Sequence, residues 1–328
     1  MKKTLFTILA VAALAACAKE EVVTVNHEAI AFDNAFVDNA TKSNDSFTIT
    51  STSIDEFQVY GTTIGDEAGS SLVPIFDYVT VQKDGDKWKY ADDFTQYWVN
   101  NNRYNFAAVV NVDKKNVELK DLVPATIKCD VSEQKDILYA ANTYGEYKGT
   151  TELVSFTFNH LLSKAFFTFK NKMTTNSAAN QYTYRVSDIK INKAAKVATG
   201  TVAGVWGEPT ETYDVEFGNI TKNFSGSMEG NADLIGAVGT TDESTSLESR
   251  LMIPQKNANL NITCKIETLL NGAVIDIENY SADITKTLEA GKVYNFILAK
   301  SNPGDKIEFT VTTVTAWDET HVNYNQNL

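Results

Sequence analysis

His27, His160 and His321 are the side chains best suited to moving protons near neutral pH, and they lie far apart along the 328-residue chain. Zinc hydrolysis would need two histidines one helical turn apart with a glutamate between them. No His-Glu-x-x-His occurs, and no Cys-x-x-Cys pair is present to close a structural zinc site. In Gly226-Ser227-Met228-Glu229-Gly230 the serine comes second, so this is not the strained Gly-x-Ser-x-Gly turn that presents a nucleophile. Asp84-Gly85-Asp86 offers oxygens to calcium but lacks the remaining ligand spacing of a calcium loop; a hairpin turn accounts for it better. Asp92-Asp93 and Asp242-Glu243 are adjacent acids of the kind that sit solvated on loops. General acid–base work needs two carboxyls held at a set distance across a cleft, which adjacency does not establish. His160 follows an apolar strand and precedes Leu161-Leu162, which reads as a ring satisfied by local backbone groups. The residues therefore point away from an enzyme, with no catalytic set, metal or cofactor expected.

The strongest chemical signal is a modification site. Lys2 and Lys3 precede an apolar run from Leu5 to Ala13, then Leu14-Ala15-Ala16-Cys17. Charge, short apolar run and small residues in that order form a secretory signal, and the run is too short to span a membrane, which takes about 20 residues. Leu-Ala-Ala-Cys resembles the lipobox of bacterial lipoproteins. The resemblance implies a signal peptide over residues 1–16, acylation of Cys17 as the mature first residue, and a tether over residues 17–28. Several acyl chains anchor firmly where one does not. Ala18 and Lys19-Glu20-Glu21 then resemble the export signal of surface lipoproteins in Bacteroidetes, or form a plain charged linker.

The formal net charge of −13 becomes more negative when Lys2 and Lys3 leave with the leader. Such a surface disfavours nucleic acid and anionic lipid as partners and favours solubility in an exposed location. Arg103, Arg185 and Arg250 are the only arginines. With 43% hydrophobic and 11% aromatic residues the chain is globular, and its length suits two domains. Cys264 shares a strand face with Leu260, Ile262 and Ile266, and Cys129 sits similarly between Ile127 and Val131, so both are expected in cores and unpaired.

Period-two alternation dominates the elements that must position these residues. Strands are expected at Phe57–Tyr60, Tyr78–Val81, Trp88–Tyr90, Tyr104–Val110, Val154–Phe158, Phe166–Phe169, Leu260–Leu269, Ala273–Ile277, Val293–Leu298 and Ile307–Val314. Lys83-Asp84-Gly85-Asp86 and Asn271-Gly272 mark hairpins, the latter because both central positions of a type I′ turn need positive φ. Single helical turns are expected at Asp93–Trp98 and Asn159–Lys164, and long loops over Gly218–Thr245. Many short strands with Gly and Asn turns imply an all-β chain of two antiparallel β-sandwich domains, residues 29–150 and 151–328. Trp88, Tyr90, Tyr97 and Trp98 form an aromatic cluster suited either to a core or to a sugar platform. A surface glycan-binding lipoprotein would expose Trp88, Tyr97, Trp98 and Trp206 as coplanar rings.

The order of several segments carries a family resemblance. Ala29-Ile30-Ala31-Phe32 precedes Thr41-Lys42, then Phe57-Gln58-Val59-Tyr60-Gly61, Lys87-Trp88-Lys89-Tyr90, Tyr97-Trp98 and Tyr104-Asn105-Phe106. Val154-Ser155-Phe156-Thr157-Phe158-Asn159-His160-Leu161-Leu162-Ser163-Lys164 is the most distinctive piece. Leu251-Met252-Ile253-Pro254-Gln255, Ala290-Gly291-Lys292-Val293-Tyr294 and Ile307 to Trp317 complete the set. Across nearly the whole mature chain this resembles the fimbrillin-like proteins of Bacteroidetes. The resemblance implies transthyretin-like or immunoglobulin-like sandwiches, no enzymatic activity, and a structural subunit (stalk, tip or accessory) of a surface fimbria. Its implied partners are other fimbrial subunits, the outer membrane through the lipid, and a host or bacterial adhesion receptor. It also implies assembly by strand exchange. A surface protease removes the first segment, here after Lys42, and a strand from the next subunit fills the groove left by Ala29, Ile30 and Phe32. Family members are cut after arginine, so Lys42 is either the cleavage site of a lysine-tolerant protease or a loop lysine. The donor is expected from the C-terminal region, where Ile307, Phe309 and Val311 alternate.

Overall fold

The structure, a computed structural model, describes residues 28–37, 53–92, 94–150, 153–171, 179–225, 234–237 and 249–314. The signal segment, Cys17, Lys42, His27, His321 and Trp317 lie outside these residues. The described chain runs β1 (Ala31–Val37), β2 (Glu56–Gly65), β3 (Val73–Asp84), β4 (Lys87–Tyr90), β5 (Asn102–Val110), β6 (Val117–Lys120), β7 (Val123–Asp130), β8 (Leu138–Tyr144), β9 (Leu153–His160) and β10 (Ser163–Asn171). It continues with β11 (Tyr182–Thr201), β12 (Glu211–Ser225), β13 (Leu234–Ala237), β14 (Arg250–Met252), β15 (Gln255–Leu270), β16 (Ala273–Leu288), β17 (Val293–Lys300) and β18 (Glu308–Val314). The fold is all-β, as the alternation requires, with 3-10 turns at Lys114–Asn116 and Val131–Glu133 as the only helical pieces among the described residues.

One sheet runs β1-β9-β8-β5-β2-β3-β4. It is antiparallel except where β1 meets β9 in parallel. Between β8 and β9 only Leu138↔His160 and Tyr139↔Asn159 pair, and side chains bridge the rest: Asn142 donates to the Ser155 carbonyl and the Tyr144 hydroxyl to that of Leu153. The sheet folds over at this seam, so β1 and β9 lie across the β2–β3 face and β1 comes into contact with β4. Phe32, Phe57, Phe76, Trp98, Phe106, Phe156 and Phe158 fill the enclosed core. β5 reads as a continuous apolar run because both its faces are covered. Tyr104, Phe106, Ala108 and Val110 point into this core, and Val109 points into the next one.

The second sandwich stacks β16-β15-β11, with β12 on the other edge of β11, against β13-β10-β17-β18, with β14 also pairing β10. Phe167, Phe217, Ile191, Ile262, Ile266 and Phe296 pack between them. Asn271 and Gly272 turn the β15–β16 hairpin with φ of 48° and 85°, as a type I′ turn demands. The division expected between residues 150 and 151 does not follow the sheets. β9 completes the first sheet, and β7, with β6 beside it, pairs the far end of β11 in the second. A third core, including Tyr60, Val109, Ile127, Cys129, Leu161, Leu162 and Leu251, fills the junction. Polar side chains bind the junction as well. Gln134, at φ 51°, donates to the Leu251 carbonyl and accepts from its N–H at 3.1 and 2.8 Å, and Trp206 Nε1 donates to the Leu161 carbonyl at 2.8 Å. The Trp206 ring lies so close over Gly200 that a Cβ there would fall 2.5 Å from it, so the position admits no side chain.

Candidate strand-exchange site

The residues Ala29, Ile30 and Phe32 open the first sheet's terminal strand. Along this segment Ile30, Phe32, Ala35 and Val37 are buried while Ala29 and Phe36 are exposed. A register shift between Phe32 and Ala35 accommodates Asp33 and Asn34, so two buried pairs share one face despite the odd spacing between them. On one side the strand pairs β9, with Ala31 opposite Leu153 and Val37 opposite Phe158. On the other side Ile30 N–H donates to the Gln96 carbonyl and Trp98 N–H to the Glu28 carbonyl, both at 2.8 Å, and the Tyr90 hydroxyl donates to the Ile30 carbonyl. The helical turn expected over Asp93–Trp98 is instead an extended rail for the first strand, with Ala29 bridged to Tyr97.

Phe32 is the anchor. Its ring lies 5.7–6.0 Å from those of Phe57, Phe76, Tyr90 and Phe156, three of them edge-on and Phe156 stacked. Burial in this aromatic nest pushes the Tyr90 phenol well above its ordinary pKa, so it stays a neutral donor. Removal of the strand would uncover an apolar slot lined by these four rings and leave the β9 edge with unpaired N–H and C=O groups. That pairing of open edge and alternate side-chain pockets is what a strand from elsewhere can complete. Burial of Ile30, Phe32 and Val37 contributes about 1.5–3 kcal/mol each, so the slot is costly to leave empty.

Residues 35–317 match the family model described as fimbrillin-like. The chain belongs to the fimbrillin-like family. A fimbrial protein from Bacteroides vulgatus has a similar structure, with a TM-score of 0.60 at 15% identity over 88% of this chain and 99% of that one. A protein described as a putative cell adhesion protein, from Bacteroides uniformis, aligns with a TM-score of 0.47 at 15% identity over 89% and 98% of the two chains. No curated protein matches the chain.

Within this family fold the other candidates take structural places. Ile307, Phe309 and Val311 are half-buried on the second sandwich core, the latter two on β18, which pairs β17. The two sets of exchange candidates thus sit in separate cores. The His160 ring is held by a carboxylate: its Nδ1 meets Asp136 Oδ2 at 2.8 Å, and both side chains are buried at the junction. No sequence pattern marks Asp136 as that partner. Residues 159–164 form a tight corner from β9 into β10, not a helical turn. Trp88 packs on Phe57 with ring centres 4.8 Å apart, Trp98 is 2% exposed, Trp206 is committed to Leu161, and only Tyr97 is exposed. The four rings therefore form no sugar platform. Among the described residues no three His, Cys, Asp or Glu gather where a metal could bind, and no helix is long and apolar enough to cross a membrane.

Cys129 and Cys264 lie buried and unpaired in different cores, and burial raises both thiols to about 12. Since the thiolate is the reactive form, neither cysteine is expected to react with Ellman's reagent at pH 8 in folded chain carrying Cys17→Ser. Both should react at once in guanidinium, which the absorbance at 412 nm would report.

Proposed function

We propose that this chain is the exported precursor of a surface fimbrial subunit, with the segment ending at Lys42 as a removable plug and adhesion as the assembled role. The observation carrying the proposal is the seat of β1. It is the terminal strand of its sheet, held in parallel against β9, and it places Phe32 among four aromatic rings. Cleavage after Lys42 would free that seat for a strand from another subunit, with the chain from Ile307 onward as donor. Such a contact is head-to-tail and propagates as a filament. Acylation at Cys17 would hold the precursor at the outer membrane until the cut. Reading the mature N-terminus in purified surface fractions tests this. Chains beginning at Ser43 support release, and a lipidated Cys17 on every copy eliminates it. In the same assay Lys42→Gln should leave monomeric, lipid-bound precursor where the parent chain forms a ladder of polymers.

A further inference from the structure

β16 ends its sheet and presents an open outer edge. No strand pairs with it among the described residues, although β15 pairs its inner edge nearly throughout. From Asp276 to Lys286 the ladder to Thr268–Ala258 is continuous, with register shifts only beyond each end. These eleven residues of regular edge carry neither proline nor bulge, two of the devices that ordinarily block pairing, and Lys286 is the stretch's only lysine. Ile275 and Ile277 at one end are 51% and 54% exposed, and Val274 beside them is 44% exposed.

We infer that this edge pairs with the same edge of a second copy of the chain, antiparallel and centred on Ser281. The argument is the strand's charge order. Asp276 and Glu278 lie in its first half, and Asp283 and Lys286 in its second. Antiparallel self-pairing about the midpoint of the regular stretch sets Asp276 opposite the second copy's Lys286, Glu278 opposite Ile284 and Asp283 opposite Asn279, so no two like charges stand opposite each other. Parallel pairing in the same register would set every acid against itself. On the exposed face Ile277 comes opposite Thr285, a β-branched pair. The Thr285 hydroxyl is already taken by Asn259 Oδ1 at 2.9 Å on β15, so its methyl remains for the isoleucine. Such a contact is two-fold and closes at two chains, unlike the head-to-tail contact of a filament. It therefore joins subunits side by side, and it does not depend on whether β1 is ever exchanged.

The test is a symmetric disulfide in the full chain carrying Cys17→Ser. Ser281→Cys faces its own copy across the two-fold, within reach of a bridge, whereas Glu208→Cys in the exposed β11–β12 turn does not. Under mild oxidation Ser281→Cys should give about tenfold more covalent dimer than Glu208→Cys. Adding Ile277→Lys should abolish that excess, with an unchanged far-UV spectrum certifying the fold. Equal dimer from both cysteine variants would overturn the inference. So would a Ser281→Cys thiol protected from reagent in a chain that sediments as a monomer, which would mean that a segment of the same chain covers the edge.

Discussion

Phe32→Ala is expected to destabilise the first sandwich by about 3–5 kcal/mol, the range for deleting a fully packed aromatic ring. The ring is 6% exposed and lies against four others, each of which packs on a further ring as well. Phe36 supplies the control from the same strand. It is 50% exposed, so Phe36→Ala should shift stability by no more than about 0.5 kcal/mol. Urea unfolding of both variants gives the comparison. Similar midpoints would mean that the strand contributes little to the sandwich. A large gap would mean that the strand is a true wall of the core, and that any occupant replacing it must bring an apolar residue of comparable size to the Phe32 position.

The second large effect is expected at a buried cation in the other sandwich. The side chain of Lys300 is fully buried, with its ammonium 2.8 Å from Glu278 Oε2, 2.5 Å from the Tyr280 hydroxyl and 2.8 Å from the Asp305 carbonyl. The Tyr280 and Tyr184 rings flank it at 5.0 and 5.8 Å. Glu278→Ala strands this charge and should cost about 3 kcal/mol, the low end for breaking a buried pair because Glu278 keeps 29% of its surface in water. Glu278→Leu combined with Lys300→Met should recover most of that loss, since a packed apolar pair needs no counter-charge. The pH dependence has a definite sign. Burial pushes the Glu278 carboxyl up, but hydrogen bonds from Lys300 and Tyr280 and the lysine's charge outweigh it and hold the folded value below the ordinary 4.5. A carboxyl depressed on folding stabilises the fold above its unfolded pKa, and that contribution disappears as pH falls through the folded value. Thermal unfolding between pH 6 and 3 should therefore show a steeper acid loss for the parent chain than for the double variant.

Much of this architecture is legible in the sequence where strands keep one phase. Val154–Phe158 and, up to the register shift at Thr268/Leu269, Leu260–Leu269 alternate cleanly and bury every second residue. The Asp84-Gly85-Asp86 and Asn271-Gly272 turns fall between the strands they were expected to join. β11 escapes such reading for a physical reason. Asp188 and Lys193 adopt φ of 54° and 56°, and the register shifts at both places, so the apolar phase of a 20-residue strand resets along its length. β12 likewise extends to Ser225, into a stretch whose glycine, serine and acidic content suggests loops. The expected boundary at residue 150 reflects a polar, glycine-containing segment that is a real connection, but one lying within a sheet. The seat of β1 is half legible. Ile30 and Phe32 announce a buried strand, whereas nothing local reveals that Phe57, Phe76, Tyr90 and Phe156 meet around it. That enclosure depends on the sheet folding over at the β8–β9 seam, where two residue pairs suffice and tyrosine and asparagine side chains do the rest.

The parallel pairing of β1 with β9 also sets an order in time. Ala31 finds its partner at Leu153, so the first strand to be synthesised waits for almost half the chain before its hydrogen-bonding edge exists. Contacts of such long sequence separation carry the largest loop-closure cost and form late in folding. A nascent chain in which β2 to β9 have formed before β1 docks therefore has the aromatic slot built and still vacant. Such a chain presents the same opening that the proposed cut after Lys42 would leave. Stray strands must be kept away from that opening for as long as it takes the chain's own β1 to arrive.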